Sequence, residues 1–126
     1  MPPTITPIYA IALTVLLIVL SVRVLRYRRA NRVALGDAGD AGLLSRIRAQ
    51  GNLTEYAPIA LMLLLLAEMQ GTPALWLHLC GITLLTGRVL HGVGLSWFPR
   101  RFVLRVAGMV LTFLALGLGA ILALPV

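Results

Sequence analysis

Charged residues are scarce in this sequence, and cysteine is almost absent. Only 12% of the 126 residues are charged, whereas 60% are hydrophobic, and the mean hydropathy is +0.96. Soluble globular domains carry about 25% charged residues, so this composition excludes a soluble protein and indicates one embedded in a membrane. The single cysteine, Cys80, excludes an internal disulfide. It lies in an apolar run, where we expect it to pack against its neighbours and not to act as a nucleophile.

Apolar residues form four runs, at positions 5–22, 56–67, 73–86 and 102–124. A membrane-spanning helix needs about 20 mostly apolar residues, so we expect the short second and third runs to extend as helix toward Leu43 and Leu95. The first run lacks the preceding basic residues of a cleaved signal peptide, and we expect a retained span. The sequence therefore predicts an all-α fold, an integral membrane four-helix bundle in which residues 1–126 form a single domain.

Arginines occur at only one end of this predicted bundle. Those beside the first connection are Arg23, Arg26, Arg28, Arg29, Arg32, Arg46 and Arg48, and those beside the third are Arg88, Arg100, Arg101 and Arg105. By the positive-inside rule, these connections face the cytoplasm and both termini lie outside. Despite the net charge of +7, we expect these arginines to meet membrane lipid headgroups and not nucleic acid.

The stretch Arg48-Ala-Gln-Gly-Asn-Leu-Thr-Glu-Tyr-Ala-Pro58 places ionisable side chains at the start of an apolar helix. At about 100° per residue, Arg48, Asn52 and Glu55 fall on one stripe, while Gln50 points the other way. Polar groups on two sides favour a cleft shared between the subunits of a small homo-oligomer. The residues alone leave a second interpretation open, in which Arg48 and Glu55 pair within or between helices and merely hold the bundle together.

The same stretch resembles the signature of the MAPEG family, the membrane-associated proteins in eicosanoid and glutathione metabolism. Every fixed position of the R-x-Q-x-N-x-x-E-Y-x-P pattern is present, on the second of four predicted helices. Arg88-Val-Leu-His91 and Arg105-Val-Ala-Gly108 are similar to sequences of the small bacterial members. The resemblance implies a homotrimer in the bacterial inner membrane, with glutathione bound in clefts between subunits that open toward the cytoplasmic half of the bilayer.

The resemblance also implies roles for particular residues. The implied glutathione-binding residues are Arg48, Gln50, Asn52, Glu55, Tyr56, Arg88 and His91, with Gln50 supplied by the adjacent subunit. Arginines suit the two carboxylates of glutathione, and a carboxylate suits its ammonium group. Arg105 resembles the arginine of helix four that activates the glutathione thiol, because a nearby fixed cation favours the nucleophilic thiolate.

Two histidines remain open to more than one interpretation. Family members that act on eicosanoids carry tyrosines where this chain has His91 and Leu95, so His91 either replaces a tyrosine hydrogen bond or packs in the core. We expect His78, in the middle of a span, to bond between helices. No further ligands accompany it at suitable spacing, and we predict no metal site.

Two functions follow from these observations. The first is an enzyme, a glutathione-dependent transferase or peroxidase that acts on lipophilic electrophiles or lipid hydroperoxides arriving from the bilayer. Its co-substrate would be glutathione, and its partners a lipophilic small molecule and two further copies of the chain. The alternative is a non-catalytic trimeric membrane protein that binds an anionic lipid or another ligand in the same cleft.

The arginine distribution predicts the orientation of the chain in the membrane. A reporter enzyme fused after Val126 should be active outside the cytoplasm, and the same reporter inserted near Gly39 should be active inside, because arginine-rich connections are retained on the cytoplasmic side. The opposite pattern of reporter activity would contradict a cytoplasmic position for the arginines.

Overall fold

The computed structural model describes residues 2–125 and consists of four α-helices. They are α1 (Thr6–Asn31), α2 (Ala41–Met69), α3 (Ala74–Trp97) and α4 (Phe102–Leu122). All four helices are long and apolar enough to cross a membrane, which confirms the predicted all-α bundle. The second and third helices extend into polar sequence as predicted, since α2 begins at Ala41 and α3 ends at Trp97. Pro58 lies within α2, and the helix continues through it.

Small and branched apolar side chains fill the centre of the bundle. Leu20 of α1, Leu53 of α2, Leu84 of α3 and Ala115 of α4 belong to one buried cluster. Large apolar side chains also cover the outside, as on α1, where Ile8, Ile11, Val15 and Ile18 are more than half exposed. A helix that is apolar on every side is suited to lipid surroundings, because lipid tails contact its outer face.

The third and fourth helices cross where two glycines face each other. A Cβ atom on Gly87 would lie 2.8 Å from the carbonyl oxygen of Gly108, and a Cβ on Gly108 would lie 2.6 Å from the carbonyl oxygen of Gly87. Such distances are too short for real carbon atoms, so only glycine allows the two backbones to approach this closely. The crossing brings His91 of α3 against the α4 backbone.

Polar contacts fix both ends of α1. At the arginine-bearing end, the Tyr27 hydroxyl donates to the Asp40 carboxylate at 2.9 Å, and the N–H of Leu43 donates to the same group at the start of α2. The hydrogen bond from Tyr27 has the largest effect on the pKa of Asp40, and the bond from Leu43 the next largest. Both hold this pKa below its ordinary value. The stabilisation from these bonds is therefore present at neutral pH and is lost as the pH falls through the lowered pKa.

The opposite end of α1 is held by Glu68, a residue that sequence analysis did not identify. Its carboxylate, near the end of α2, accepts hydrogen bonds from the backbone N–H groups of Thr4, Ile5 and Thr6 and from the Thr6 hydroxyl. The first N–H groups of a helix have no partner within the helix, and a negative charge is favourable there. Glu68 therefore caps α1 from a neighbouring helix.

Two further contacts connect helices inside the bundle. The Tyr9 hydroxyl lies 2.7 Å from Nδ1 of His78 and joins α1 to α3, so the predicted interhelical bond of His78 is confirmed. Cys80 is buried, and its Sγ lies 3.4 Å from the carbonyl oxygen of Ala115 on α4. This placement agrees with the expected packing role of the thiol.

The cap predicts that Glu68→Gln destabilises the bundle. Each charged hydrogen bond to the α1 N-terminus would become weaker, and we expect the free energy of unfolding to fall by about 1 to 3 kcal/mol. Thermal denaturation of the protein in detergent measures this change. Glu55→Gln is the matched control, because it makes the same substitution on the same helix at an exposed ion pair worth about 0 to 1 kcal/mol. Equal losses in the two variants would contradict the capping role.

Candidate functional site

A cavity of about 360 Å³ lies at the arginine-bearing end of the bundle. Its wall contains four of the predicted site residues, namely Arg48, Asn52, His91 and Arg105, which come from α2, α3 and α4. Ala41, Leu44, Ser45, Leu95 and Pro99 complete the lining. Pockets for small molecules have volumes of about 300 to 1,000 Å³. The structure therefore collects residues from three helices around a space that suits a small polar ligand.

Arg88 lies behind the wall of this cavity and contacts protein groups. Its side chain is 1% exposed. Its Nε donates to the Thr112 hydroxyl at 2.9 Å, one terminal nitrogen donates to the side-chain oxygen of Asn52, and the other contacts the Met109 sulfur at 3.2 Å. Arg88 thus connects α2, α3 and α4 and orients the Asn52 amide. A direct contact between Arg88 and glutathione stays a prediction.

The buried charge of Arg88 has no carboxylate partner. Among residues 2–125, no Asp or Glu oxygen lies within salt-bridge distance of its guanidinium, and the Tyr56 ring centroid is 5.4 Å from Cζ. Arg88 lies well inside α3, about 13.5 Å along the helix axis from Trp97, the last residue of that helix, at a rise of about 1.5 Å per residue. An unpaired charge at such depth is costly and usually marks a functional site. Together with Arg48 and Arg105, it gives the cavity a positive potential.

Arg48 and Glu55 form an ion pair within one helix. The Arg48 Nη2 and Glu55 Oε1 atoms are 2.9 Å apart, and both side chains are about half exposed, at 48% and 49%. Both residues belong to α2, so the pair connects turns of one helix. Arg48 lines the cavity and Glu55 does not. A purely structural role for this pair stays a prediction. Exposed ion pairs are worth about 0 to 1 kcal/mol, so a ligand can separate these two groups at small cost.

The other polar side of α2 contacts the same chain. The Gln50 amide donates to the Ser21 hydroxyl of α1 at 3.1 Å, and the Arg46 guanidinium lies 4.4 Å from the Tyr27 ring centroid. The two-sided polarity of α2 is thus explained partly by α1 and does not by itself require a second subunit. The contribution of Gln50 to a neighbouring subunit's site stays a prediction.

His91 carries a polar atom that lacks a partner. The residue is 5% exposed and lines the cavity, and its Nδ1 is the one buried side-chain nitrogen or oxygen in residues 2–125 without a hydrogen bond. A buried polar atom without a partner is unfavourable by about 1 to 3 kcal/mol. This nitrogen is almost inaccessible to water, so a molecule in the cavity would reach it only after the side chain moved. Ligand binding and core packing both stay predictions for His91.

An apolar cavity of about 440 Å³ adjoins the polar one. The two share Asn52, His91 and Arg105. The apolar part of the second lining comes from Phe102, Val106, Met109, Val110 and Phe113 of α4, and Phe113 also packs edge-to-face on Tyr56, at 5.8 Å between ring centroids. Sequence analysis missed this apolar wall, although the three- and four-residue spacing of its side chains is that of one helix face.

Comparison with known proteins agrees with this architecture. The family model described as MAPEG family matches residues 6–125. The inner membrane protein YecN of Escherichia coli strain K12 is 43% identical over 112 residues, which cover 89% of this chain and 84% of YecN. YecN of Escherichia coli O6:H1, strain CFT073, matches with the same identity and coverage. The chain therefore belongs to the MAPEG family.

Proposed function

We propose that this protein is a glutathione-dependent transferase or peroxidase of the inner membrane that acts on lipophilic electrophiles or lipid hydroperoxides. The observation that carries the proposal is the pair of adjoining cavities, one polar and positively charged, the other apolar, with Asn52, His91 and Arg105 at their common boundary. A water-soluble thiol and a substrate from the bilayer would meet at this boundary. The four apolar helices and the location named for YecN support the inner membrane.

Glutathione matches the polar cavity in charge and in hydrogen-bonding groups. It carries two carboxylates and one ammonium group, and its net charge is negative. Arg48 can bind a carboxylate through its planar pair of donors, and Glu55, released from Arg48, can accept hydrogen bonds from the ammonium group. Asn52 and His91 offer further polar contacts on the same wall.

Arg105 is the proposed catalytic residue. It lines both cavities, so a sulfur atom at their boundary would lie near its guanidinium. A fixed positive charge stabilises the thiolate relative to the thiol and so increases the fraction of the nucleophilic form. Arg105 thereby lowers the barrier without accepting the proton, which leaves to water.

The apolar cavity would hold the second substrate. In the transferase reaction, the thiolate forms a carbon–sulfur bond while the leaving group departs with its electron pair. In the peroxidase reaction, the thiolate attacks a hydroperoxide oxygen and releases the lipid alcohol, and a second glutathione then converts the sulfenic acid to the disulfide and water. Two glutathione molecules are oxidised for each hydroperoxide reduced, and water supplies the proton of the lipid alcohol.

The proposed assembly is a homotrimer with the arginine-rich connections in the cytoplasm and both termini outside. Arg48 lines the polar cavity, its partner Glu55 lies outside the lining, and both side chains are half exposed, so a second copy packed beside them would close the site. Mass measurement in mild detergent should give three copies of the 13.6 kDa chain. A monomer that binds glutathione with full affinity would contradict a shared cleft.

Glutathione titration of the detergent-solubilised protein tests the reaction class. We expect a saturable ultraviolet absorbance of bound thiolate at neutral pH, because the cavity is positively charged. A titration without thiolate formation would contradict the enzyme and would favour the alternative, a non-catalytic protein that binds lipid in the same cleft.

Two substitutions separate binding from activation. Glu55→Gln should weaken glutathione binding by about 1 to 3 kcal/mol, the scale of a lost charged hydrogen bond. Arg105→Ala should keep binding closer to the wild-type value but raise the pKa of the bound thiol, at 1.36 kcal/mol for each unit, and turnover should fall with it.

Matched controls come from neighbouring positions that have no role in the proposed glutathione site. Thr54→Ala alters the exposed residue beside Glu55, and Arg101→Ala removes a charge at the start of α4. Both variants should bind glutathione and form thiolate as the wild type does. The proposed site would be abandoned if Arg105→Ala and Arg101→Ala gave the same thiol pKa.

A further inference from the structure

A groove with both basic and apolar side chains lies at the arginine-bearing end, beside α1. It has a volume of about 550 Å³ and runs along α1 beside the end of α3. Its lining consists of Ile18, Val19, Val22, Arg23, Arg26, Tyr27, Arg46 and Trp97. None of these residues lines the two cavities of the proposed active site. A molecule bound in this groove would therefore leave the proposed active site free.

Arg23 is held in place at the centre of the groove. Its Nε donates to the Ser96 hydroxyl at 2.6 Å, one terminal nitrogen donates to the Ser96 carbonyl oxygen at 3.0 Å, and its Cζ lies 3.6 Å from the Trp97 ring centroid. An arginine has five N–H donors, so these two bonds leave donors for a further acceptor. Because the Arg23 side chain is already ordered, binding an anion requires little further loss of side-chain entropy.

Two more arginines complete a positive cluster. The Arg26 side chain makes no hydrogen bond or ion pair with the described part of the chain. The Arg46 guanidinium donates to the Gly42 carbonyl oxygen at 2.9 Å. No acidic residue lines the groove. The Asp40 carboxylate, bound to Tyr27 at the groove's edge, interacts with the charge of Arg46 but forms no ion pair with Arg23 or Arg26. Three like charges from two helices thus converge on one groove.

The chain can offer this cluster few anions of its own. It has four acidic residues. Glu68 is bound at the opposite end of α1, Asp40 caps α2, and Glu55 is paired with Arg48. Asp37 remains, and its carboxylate accepts the backbone N–H of Gly39. Asp40 offsets part of the Arg46 charge, but no carboxylate is paired with Arg23 or Arg26 in the described part of the chain. A second copy packed on the groove would bring mainly positive charge, so an anion for these two arginines would come from another molecule.

The floor of the groove is apolar and follows the membrane-spanning part of α1. Ile18 is 56% exposed, and Val19 and Val22 are about 40% exposed. They precede the arginines on α1, so the apolar floor extends toward the interior of the bilayer while the guanidinium groups lie at its edge. This order of charged and apolar surface is complementary to a phosphate headgroup joined to acyl chains.

We propose that this groove binds an anionic phospholipid of the arginine-facing leaflet, with its phosphate on Arg23, Arg26 and Arg46 and an acyl chain along Ile18, Val19 and Val22. Basic pockets between membrane helices on the cytoplasmic side are suited to anionic lipid headgroups. Trp97 and Tyr27 line the groove beside these arginines, and tryptophan and tyrosine are enriched where proteins meet the membrane interface. The acyl-chain floor distinguishes this site from one for a free phosphate ion.

Native mass spectrometry of the whole protein in detergent tests the site with two defined lipids. Phosphatidylglycerol, which is anionic, should form adducts that survive activation, whereas phosphatidylcholine, which is zwitterionic, should bind more weakly. Arg26→Gln should reduce phosphatidylglycerol affinity by about fivefold, the change expected for one arginine near a lipid surface. Arg26 makes no contact that the fold requires, so this variant should fold normally.

Matched controls separate a specific groove from general surface charge. Arg100→Gln removes the same charge at the same end of the bundle, outside the groove, and should leave phosphatidylglycerol affinity unchanged. Glycerol phosphate, the headgroup portion without acyl chains, should not displace the lipid. The proposal would be overturned by equal binding of the two lipids, by equal effects of Arg26→Gln and Arg100→Gln, or by displacement with glycerol phosphate.

Discussion

The site depends on one buried guanidinium, that of Arg88, which lies deep in α3 without a carboxylate partner in residues 2–125. Its hydrogen bonds to Thr112 and Asn52 join α4 and α2 to α3 and so position the wall of the polar cavity. Buried charged groups are weak evidence for stability, because well-packed neutral groups often replace them without loss. The retained charge instead contributes to a potential that favours an anion beside Arg48 and Arg105, which connects the packing of the bundle to its proposed chemistry.

The glycine crossing makes this arrangement sterically possible. Because Gly87 and Gly108 allow the backbones of α3 and α4 to touch, Arg88 reaches Thr112 and His91 lies against α4. The same close contact sets the start of α4, with Arg105, beside the polar cavity, and the next turns of α4 form the apolar wall. One crossing therefore places a polar and an apolar space next to each other at the edge of the bilayer.

The helices and part of the candidate site could be predicted from the sequence. Membrane spans can be predicted because lipid requires long apolar runs. The stripe of Arg48, Asn52 and Glu55 can be predicted because the angle between successive residues of a helix is fixed. The sequence could not show that Gln50 meets Ser21, that Glu68 caps α1, or that Arg88 lies behind the cavity wall, because these contacts depend on how distant segments pack. The apolar wall of α4 could not be told from lipid-facing surface, since both consist of the same residue types.

The most direct measurement of the central claim is a structure of the protein in lipid nanodiscs with glutathione added. The account predicts glutathione in the polar cavity, a carboxylate on Arg48, the ammonium group on Glu55 and the sulfur beside Arg105, with the Arg88–Asn52 contact retained. A cavity that holds an acyl chain at saturating glutathione, or glutathione bound away from these residues, would contradict it.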